Sequence, residues 1–519
     1  MNLFLSIKGT RLGDSRSNQD RPDGENINRD VFPERCSETM RTHLLNRRDF
    51  IAHARNGISS IALASLLCEQ DLMAEGSVPI DSSDPFRPRL PQKRARARNV
   101  IVVFCAGALS HVDFWEFKPE LVRYHGKPLP GNERLISFQG ENGALHQPLW
   151  KFRPRGKCGK MISDIIPYLA DCVDDMTFLH SVTTKSSTHG PGENLMSTGF
   201  NREGYPGMGA WVSYALGTEN RDLPAFVAIE DPRGTPQSGI NNWTNGFLPA
   251  AFQGTAFSST RPVRHLTPPV GSNFFKDRLL LDVLQRFNQQ QQLRYRGDTD
   301  LAARISSYEL AARMQLSVPG VTAVDKEPEH IHRLYGVDSK NPLKADFARN
   351  CILARRLVEE GVRFVQLFNG AYASAGRLNW DTHNSMSDLV PGHAEILDQP
   401  VAGLLKDLKQ RGLLQNTLVM LCTEFGRMPM FQLGNTGRDH NPEGFTVWMA
   451  GAGLKGGMSY GATDSFGFRA EENPLTVHDV HATLMYLLGI DHEKLTYYHN
   501  GLQRRLTDVH GNVIHDLLS

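Results

Sequence analysis

Residues 417–457 read TLVMLCTEFGRMPMFQLGNTGRDHNPEGFTVWMAGAGLKGG. The run Leu418 to Cys422 is continuously apolar, which suits a strand buried on both faces of a parallel sheet. It stops at Thr423 and Glu424, and the polar cluster Gly437-Arg438-Asp439-His440 follows in a glycine-containing loop. Open α/β sheets bind ligands beyond the C-terminal ends of their strands, so a carboxylate at that place is a candidate ligand. The last part, GAGLKGG, lacks the Gly-Lys-Ser/Thr ending and the following helix of a phosphate loop, so none is expected there.

The same rhythm extends in both directions. Val100 to Phe104 is a β-branched, apolar run, and further strands are expected near Met176–Leu179, at 223–229 (LPAFVAI) and at 362–368 (VRFVQLF). Between them, FARNCILARRLVEEG places apolar residues at helical spacing and stops at Gly361; LLKDLKQRGLL and HDVHATLMYLLGI read as helices too. Helices that alternate with buried strands imply an α/β fold with a mostly parallel sheet and helices on both faces. Residues 230–345 break the rhythm with a Gly/Pro/Asn-rich start and helical patterns with polar faces, so they are expected to be a helical insertion. The folded α/β domain is placed at 99–519.

At 519 residues the chain is long enough for a large core, and its net charge is +1. With no long basic stripe, a nucleic-acid partner is not expected. The cysteines form no Cys-x-x-Cys pair and are odd in number, 7, which argues against a zinc ribbon and a disulfide framework. Residues 1–39 are polar and aperiodic, and are expected to be disordered or to follow a mis-called start, with Met40 as the alternative start. Residues 40–75 contain Asn46-Arg47-Arg48-Asp49-Phe50-Ile51, similar to a twin-arginine export motif, followed by the apolar stretch Ile58–Leu67. That stretch is too short to span a bilayer, and no transmembrane segment is expected in the mature chain. Leu67 before Cys68 makes a poor lipid-attachment signal. Residues 76–98, rich in Pro, Ser, Asp and Arg, are expected to be a linker. A twin-arginine signal implies export in the folded state, with any cofactor or metal loaded in the cytoplasm beforehand, and a periplasmic or secreted location.

Several Asp, His and Glu clusters follow predicted strands: His111 with Asp113, Asp381 with His383, Glu424, and Asp439 with His440. Parallel strands deliver such residues to one sheet edge. Carboxylates with imidazoles suit a divalent metal (zinc, manganese or calcium), which can polarise an ester oxygen and activate a nucleophile. Thr188 and His189 close a hydroxyl-rich loop (Thr183, Thr184, Ser186, Ser187) before a helix; Thr188 would serve as a nucleophile only if a metal activated it. Arg427 and Arg438 are candidates to meet an oxyanion. His478 and His481 share one helix face and are expected to be structural or near the site, with Asp479 as a helix-start residue.

The blocks WDTHNS, TEFGRMP, GRDHNP, GAGLKGG, GATD, HATLMYLLGIDHEKLTY and RLTDVHG, with SHVDFWEFKPEL and THGPGENLMSTG, resemble the bacterial family named domain of unknown function 1501. The resemblance covers residues 99–519. That family more distantly resembles the alkaline phosphatase and sulfatase superfamily, which implies an alkaline phosphatase/sulfatase-like fold. On that resemblance Asp113 matches the first metal carboxylate, and His189 or Thr188 the nucleophile position. Asp381 and His383 match the Asp-His metal pair, Glu424 a metal-binding Asp, and His440 a later metal-binding His. Phe425 stands where a phosphatase has His and a sulfatase has Asn, and no Cys or Ser nucleophile is present. One metal site, Asp381/His383/His440, is therefore expected to be nearly complete, and the Asp113/Glu424 site to have lost a ligand. The resulting expectation is an exported metal-dependent hydrolase acting on a small phosphate or sulfate ester, or on a glycan. The rival is a degenerate, non-catalytic protein of the same fold that binds a glycan or a protein partner at the cell surface.

Overall fold

Asn99–Cys105 forms β1, and the strand is buried along its whole length. Alternate side chains divide between two cores. Ile101, Val103 and Cys105 belong to one, and Val100, Val102 and Phe104 to the other. A strand of this kind sits only in the middle of a sheet covered on both faces. The protein is seen here in a computed structural model that describes residues 84–131, 134–259, 299–372 and 376–519, with short helical pieces at 283–284, 286–288 and 290–291. The expectations for residues 1–83, the twin-arginine segment among them, lie outside the described residues.

Eight further strands join β1: β2 (Met176–Thr183), β3 (Phe226–Ile229), β4 (Thr255–Phe257), β5 (Phe364–Asn369), β6 (Thr417–Cys422), β7 (Phe445–Gly451), β8 (Met458–Tyr460) and β9 (Leu475–Thr476). The order across the sheet is β8-β2-β7-β6-β1-β5-β3-β4, with β9 also paired to β2. β1 runs parallel to β5 and β6, and β3 runs parallel to β5 and β4. β7 alone is reversed, antiparallel to both β6 and β2. The cause is local. No crossover helix separates Cys422 from Phe445, so the chain returns to the edge it left and must come back antiparallel.

The longer helices among the described residues are α1 (His189–Thr198), α2 (Met208–Leu216), α3 (Thr299–Thr322), α4 (Pro342–Glu359), α5 (Met386–Gln410) and α6 (Val477–Leu487). α4 and α5 cover one face of the sheet, while α1, α2 and α6 cover the other. Asn341 caps α4 by accepting from the backbone N–H groups of Leu343 and Lys344. Thr476 and Asp479 form a reciprocal capping box on α6, the start expected from the sequence. His478 and His481 each make a 2.8 Å bond from Nε2 to a backbone carbonyl, of Gly199 and Met196, and so tie α6 to α1. Within the stretch read as an insertion, α3 supplies Met314, Val318 and Val321 to the core, and β4 adds an outer strand to the sheet. Residues 84–98 lie along the α/β unit: Arg89 N–H bonds Leu216 O, Lys93 N–H bonds Gly489 O, and Ala97 is buried. Among the described residues no helix is long and apolar enough to cross a membrane.

A small second sheet stands above the C-terminal edge of the main one. It is built from Ile136–Ser137, Gly140–Leu145, Gly426–Gln432 and Arg438–Asn441. One buried ion pair anchors it. Arg438 Nε donates to Asp113 Oδ2 at 2.7 Å and Nη2 to Oδ1 at 3.2 Å, and both side chains are fully enclosed. Ser110 Oγ and Leu149 N–H also donate to Asp113, while the Met428, His146 and Gln147 carbonyls accept from Arg438. Asp113, expected as a metal ligand, and Arg438, expected to meet an oxyanion, are thus paired with each other. Asp113→Ala leaves a buried guanidinium without its counterion, and is expected to cost about 3–5 kcal/mol. The loss should appear as a lower urea midpoint, largely recovered in the double variant Asp113→Leu/Arg438→Met. A wild-type midpoint for Asp113→Ala would show that the pair does not hold the small sheet in place.

Candidate metal centre

Four segments that are far apart in sequence meet beyond the C-terminal ends of β1, β5 and β6. Glu424 follows β6. Asp381 and His383 lie in the loop between β5 and α5. His189 opens α1, and Asp439 and His440 come from the small sheet. Asp381 Oδ1 is their common point. It lies 2.9 Å from His383 Nε2, 3.2 Å from His189 Nε2 and 3.3 Å from His440 Nε2. His383 Nε2 and His440 Nε2 are 2.9 Å apart.

Hydrogen bonds behind the rings decide which nitrogen faces inward. His440 Nδ1 lies 2.7 Å from the Ser187 carbonyl, which can only accept, so Nδ1 carries the proton. His189 Nδ1 lies 2.6 Å from Glu424 Oε1 in the same manner. Both rings therefore turn Nε2 toward Asp381, with an acceptor fixing the opposite side, as metal-binding histidines are usually held. His189 Nε2 is buried and lies off the hydrogen-bonding direction to Asp381, so it has no aligned partner; His383 Nδ1 likewise has none, with Asp439 Oδ1 3.8 Å away. Donors around a tetrahedral zinc stand about 3.3 Å apart, given Zn–N bonds of about 2.0–2.1 Å. The separations found here, 2.9 to 3.3 Å, are close to that spacing. Two overlapping groups can offer ligand atoms to one ion: His189/Asp381/His440 and His383/Asp439/His440. The residues present fit a divalent cation.

The protonation states follow from the same geometry. Burial alone would lower His189, but the adjacent Asp381 carboxylate and the bond to Glu424 raise it to about 9. Burial would raise Glu424, yet His189 and the Gly107 N–H at 2.8 Å hold it below the usual carboxylate range. Burial works the same way on Asp381, where the Arg427 charge and the imidazoles win and keep it ionised. His440 is pushed down to about 4, first by burial and then by the neighbouring Arg427 and His189 charges, against the pull of Asp381.

Arg427 is enclosed. Its guanidinium bonds the carbonyls of Ala108, Gly107, Trp380 and Arg438, and donates to Asp381 Oδ1 at 2.7 Å. It was expected to meet an oxyanion; the structure uses it to hold the Asp381 loop against the loop after β1. Thr188 is the residue before α1, and its hydroxyl pairs with Ser186 Oγ at 3.4 Å rather than with the cluster. Phe425 is buried between His189 and His440, with ring centroids 5.0 and 4.6 Å away, so it props the rings as an apolar wall. Sequence reasoning missed the segment Ser137-Phe138-Gln139. Ser137 Oγ and Gln139 N–H donate to Asp439, Gln139 Nε2 lies 3.1 Å from His383 Nε2, and Phe138 stacks on His440 at 5.1 Å. No charge or spacing in that stretch announces such a role.

Two glycines permit the convergence. A Cβ on Gly437 would lie 2.2 Å from the Thr382 carbonyl oxygen, so only glycine lets the small sheet pass beneath the Asp381–His383 loop. A Cβ on Gly107 (φ +103°) would lie 2.6 Å from Trp380 N. The finished cluster is nearly closed: the side chains of Asp381, His189 and His383 are 15, 14 and 12% exposed.

No curated protein matches the chain. Solved structures overlay it distantly. The lipoteichoic acid synthase LtaP from Listeria monocytogenes is 9% identical with a TM-score of 0.31, over 84% of this chain and 80% of that one. The PsFucS1 sulfatase from Pseudoalteromonas sp. is 12% identical with a TM-score of 0.31, over 85% of this chain and 76% of that one. The alkaline phosphatase of the Antarctic bacterium TAB5 is 10% identical with a TM-score of 0.31, over 77% of this chain and 99% of that one. The family model DUF1501, described as a protein of unknown function, matches residues 97–518, and the chain belongs to that family.

Proposed function

We propose that the cluster around Asp381 binds a divalent metal and that the chain is a metal-dependent hydrolase of phosphate or sulfate esters, small or carried on a glycan. The observation that carries this reading is the convergence of three imidazole Nε2 atoms on Asp381 Oδ1. His189, His383, His440 and Asp381 would hold the ion. Its nitrogen-rich donor set suits zinc better than manganese or calcium, which favour oxygen ligands. When bound, the ion supplies Lewis-acid polarisation of an ester oxygen and acidifies a water. Glu424 and the Ser187 carbonyl orient the rings, Arg427 fixes the Asp381 carboxylate, and Phe138 and Phe425 keep water from two sides of His440. The twin-arginine-like leader supports export and a periplasmic or secreted location for the mature chain.

A second reading draws on one specific feature. Arg427 already sets a positive charge 2.7 Å from Asp381 Oδ1, and the cluster is nearly closed. An ion-pair network of that kind suits a non-catalytic protein that binds a glycan or a protein partner.

Metal content separates the two readings. Protein purified without chelators should hold about one zinc or manganese per chain by elemental mass spectrometry. Asp381→Ala and His440→Ala should remove it while circular dichroism stays unchanged. A folded, metal-free wild type favours the binding protein. Glu424→Gln keeps the shape but weakens the acceptor behind His189, so metal affinity should fall about 10–100-fold in a chelator competition. Gly437→Ala should lower metal occupancy as well, because the side chain forces the His383 loop away from His440; full occupancy in that variant would show that the crossing is not needed. Turnover of 4-nitrophenyl sulfate or phosphate should follow metal occupancy across the series.

A further inference from the structure

A cavity of about 860 Å³ opens at the β2–β8 edge of the main sheet and shares no lining residue with the metal centre. Its walls come from the turn after β1 (Glu116, Lys118), the strand at Lys160, mid-β2 (His180) and β8 (Ser459, Tyr460). Pockets of this size take small organic molecules.

The charges inside do not balance. Lys118 Nζ is paired with Glu116 Oε1 at 2.8 Å and donates to the Thr463 carbonyl at 2.7 Å. Lys160 Nζ has neutral acceptors only: His180 Nε2 at 2.5 Å and Ser459 Oγ at 2.6 Å. The face of Phe178 lies 4.7 Å from it. His180 Nδ1 lies 2.9 Å from Thr446 Oγ1, and burial, with the Lys160 charge adding to it, pushes the ring down to about 3. The imidazole is therefore neutral and accepts from the ammonium. The remaining charged groups on the wall, Lys455, Glu472 and Asp516, are exposed at the rim. Two inner ammonium groups thus face a single inner carboxylate. Burial also pushes Lys160 down, to about 8, opposed by the Glu116 charge and reinforced by Lys118, which is the cost of a buried cation with no carboxylate bonded to it directly.

We propose that this cavity is a second ligand site, which binds the oxyanion of a small carboxylate, sulfate or phosphate compound through the Lys160 ammonium and the Ser459 hydroxyl. A charge-assisted bond in such a partly dehydrated pocket is among the stronger polar contacts a protein makes. Tyr460 and Met161 give the body of the ligand an apolar surface to rest on.

The test uses the full chain carrying His440→Ala, so that the metal centre does not contribute. Sodium glucuronate, sodium sulfate and sodium phosphate are titrated separately by isothermal calorimetry at pH 7. At least one should bind with a stoichiometry of one. Lys160→Met should weaken that binding at least tenfold, and Ser459→Ala should weaken it to a smaller degree, with Lys160→Arg retaining most of it. Tighter binding of glucuronate identifies the anion as a carboxylate; tighter binding of sulfate or phosphate identifies it as an ester-type oxyanion. If no probe binds, or if Lys160→Met and Ser459→Ala bind as tightly as the parent, the site does not exist. Should Lys160→Met fail to fold, Ser459→Ala and Lys160→Arg decide the matter.

Discussion

One carboxylate oxygen, Asp381 Oδ1, lies within 3.3 Å of three imidazole nitrogens and one guanidinium nitrogen. Bringing that many polar groups out of water is costly unless each is paired or shared with a cation. Much of the upper edge of this protein can be understood as the framework that makes the arrangement tolerable. The main sheet supplies Glu424 and the Gly107 N–H from adjacent parallel strands, β6 and β1, whose ends are level because Phe104 pairs with Cys422. Register thus sets the distance between the Glu424 carboxylate and its backbone donor before any side chain is chosen.

The small sheet does the rest. It carries Arg427 and Asp439–His440 over the edge and is itself held by the enclosed Asp113–Arg438 pair. Between Glu424 and His440 the chain crosses under the Asp381–His383 loop, which leaves no room for a Cβ at Gly437. The acid-plus-imidazole cluster and the glycines around it are therefore one structural device. The glycines bring backbones close enough for short side chains to meet.

The two polar places in the fold differ in how their charge is settled. At the candidate metal centre, carboxylates, imidazoles and Arg427 compensate one another within the chain. At the β2–β8 edge the direct hydrogen-bonding partners of Lys160 are neutral, and the proposed oxyanion would supply the missing compensation. A hydrolase of anionic esters has use for both kinds of place, one to act on an oxyanion and one to hold it.

The sequence by itself determined the sheet and its helices. Runs such as Val100–Phe104 and Leu418–Cys422 read as strands covered on both faces, because they are short, continuously apolar and bounded by polar residues. It also determined that Asp381, His383 and Glu424 would sit in loops after strands, whereas Arg438, Asp439 and His440, expected in a loop, lie in a strand of the small sheet. It left α5 short, because Pro391 and Pro400 lie inside a helix that runs from Met386 to Gln410. It did not reveal the reversal of β7, which depends on the small sheet turning the chain back. Nor did it separate ligands from counterions. Asp113 and Asp381 both follow parallel strands and look alike in sequence, yet one is enclosed with Arg438 and the other faces three histidines. Only tertiary structure decides that, because the role of a carboxylate is set by which charges the fold brings within a few ångströms of it, and those charges come from segments with no fixed spacing in the chain.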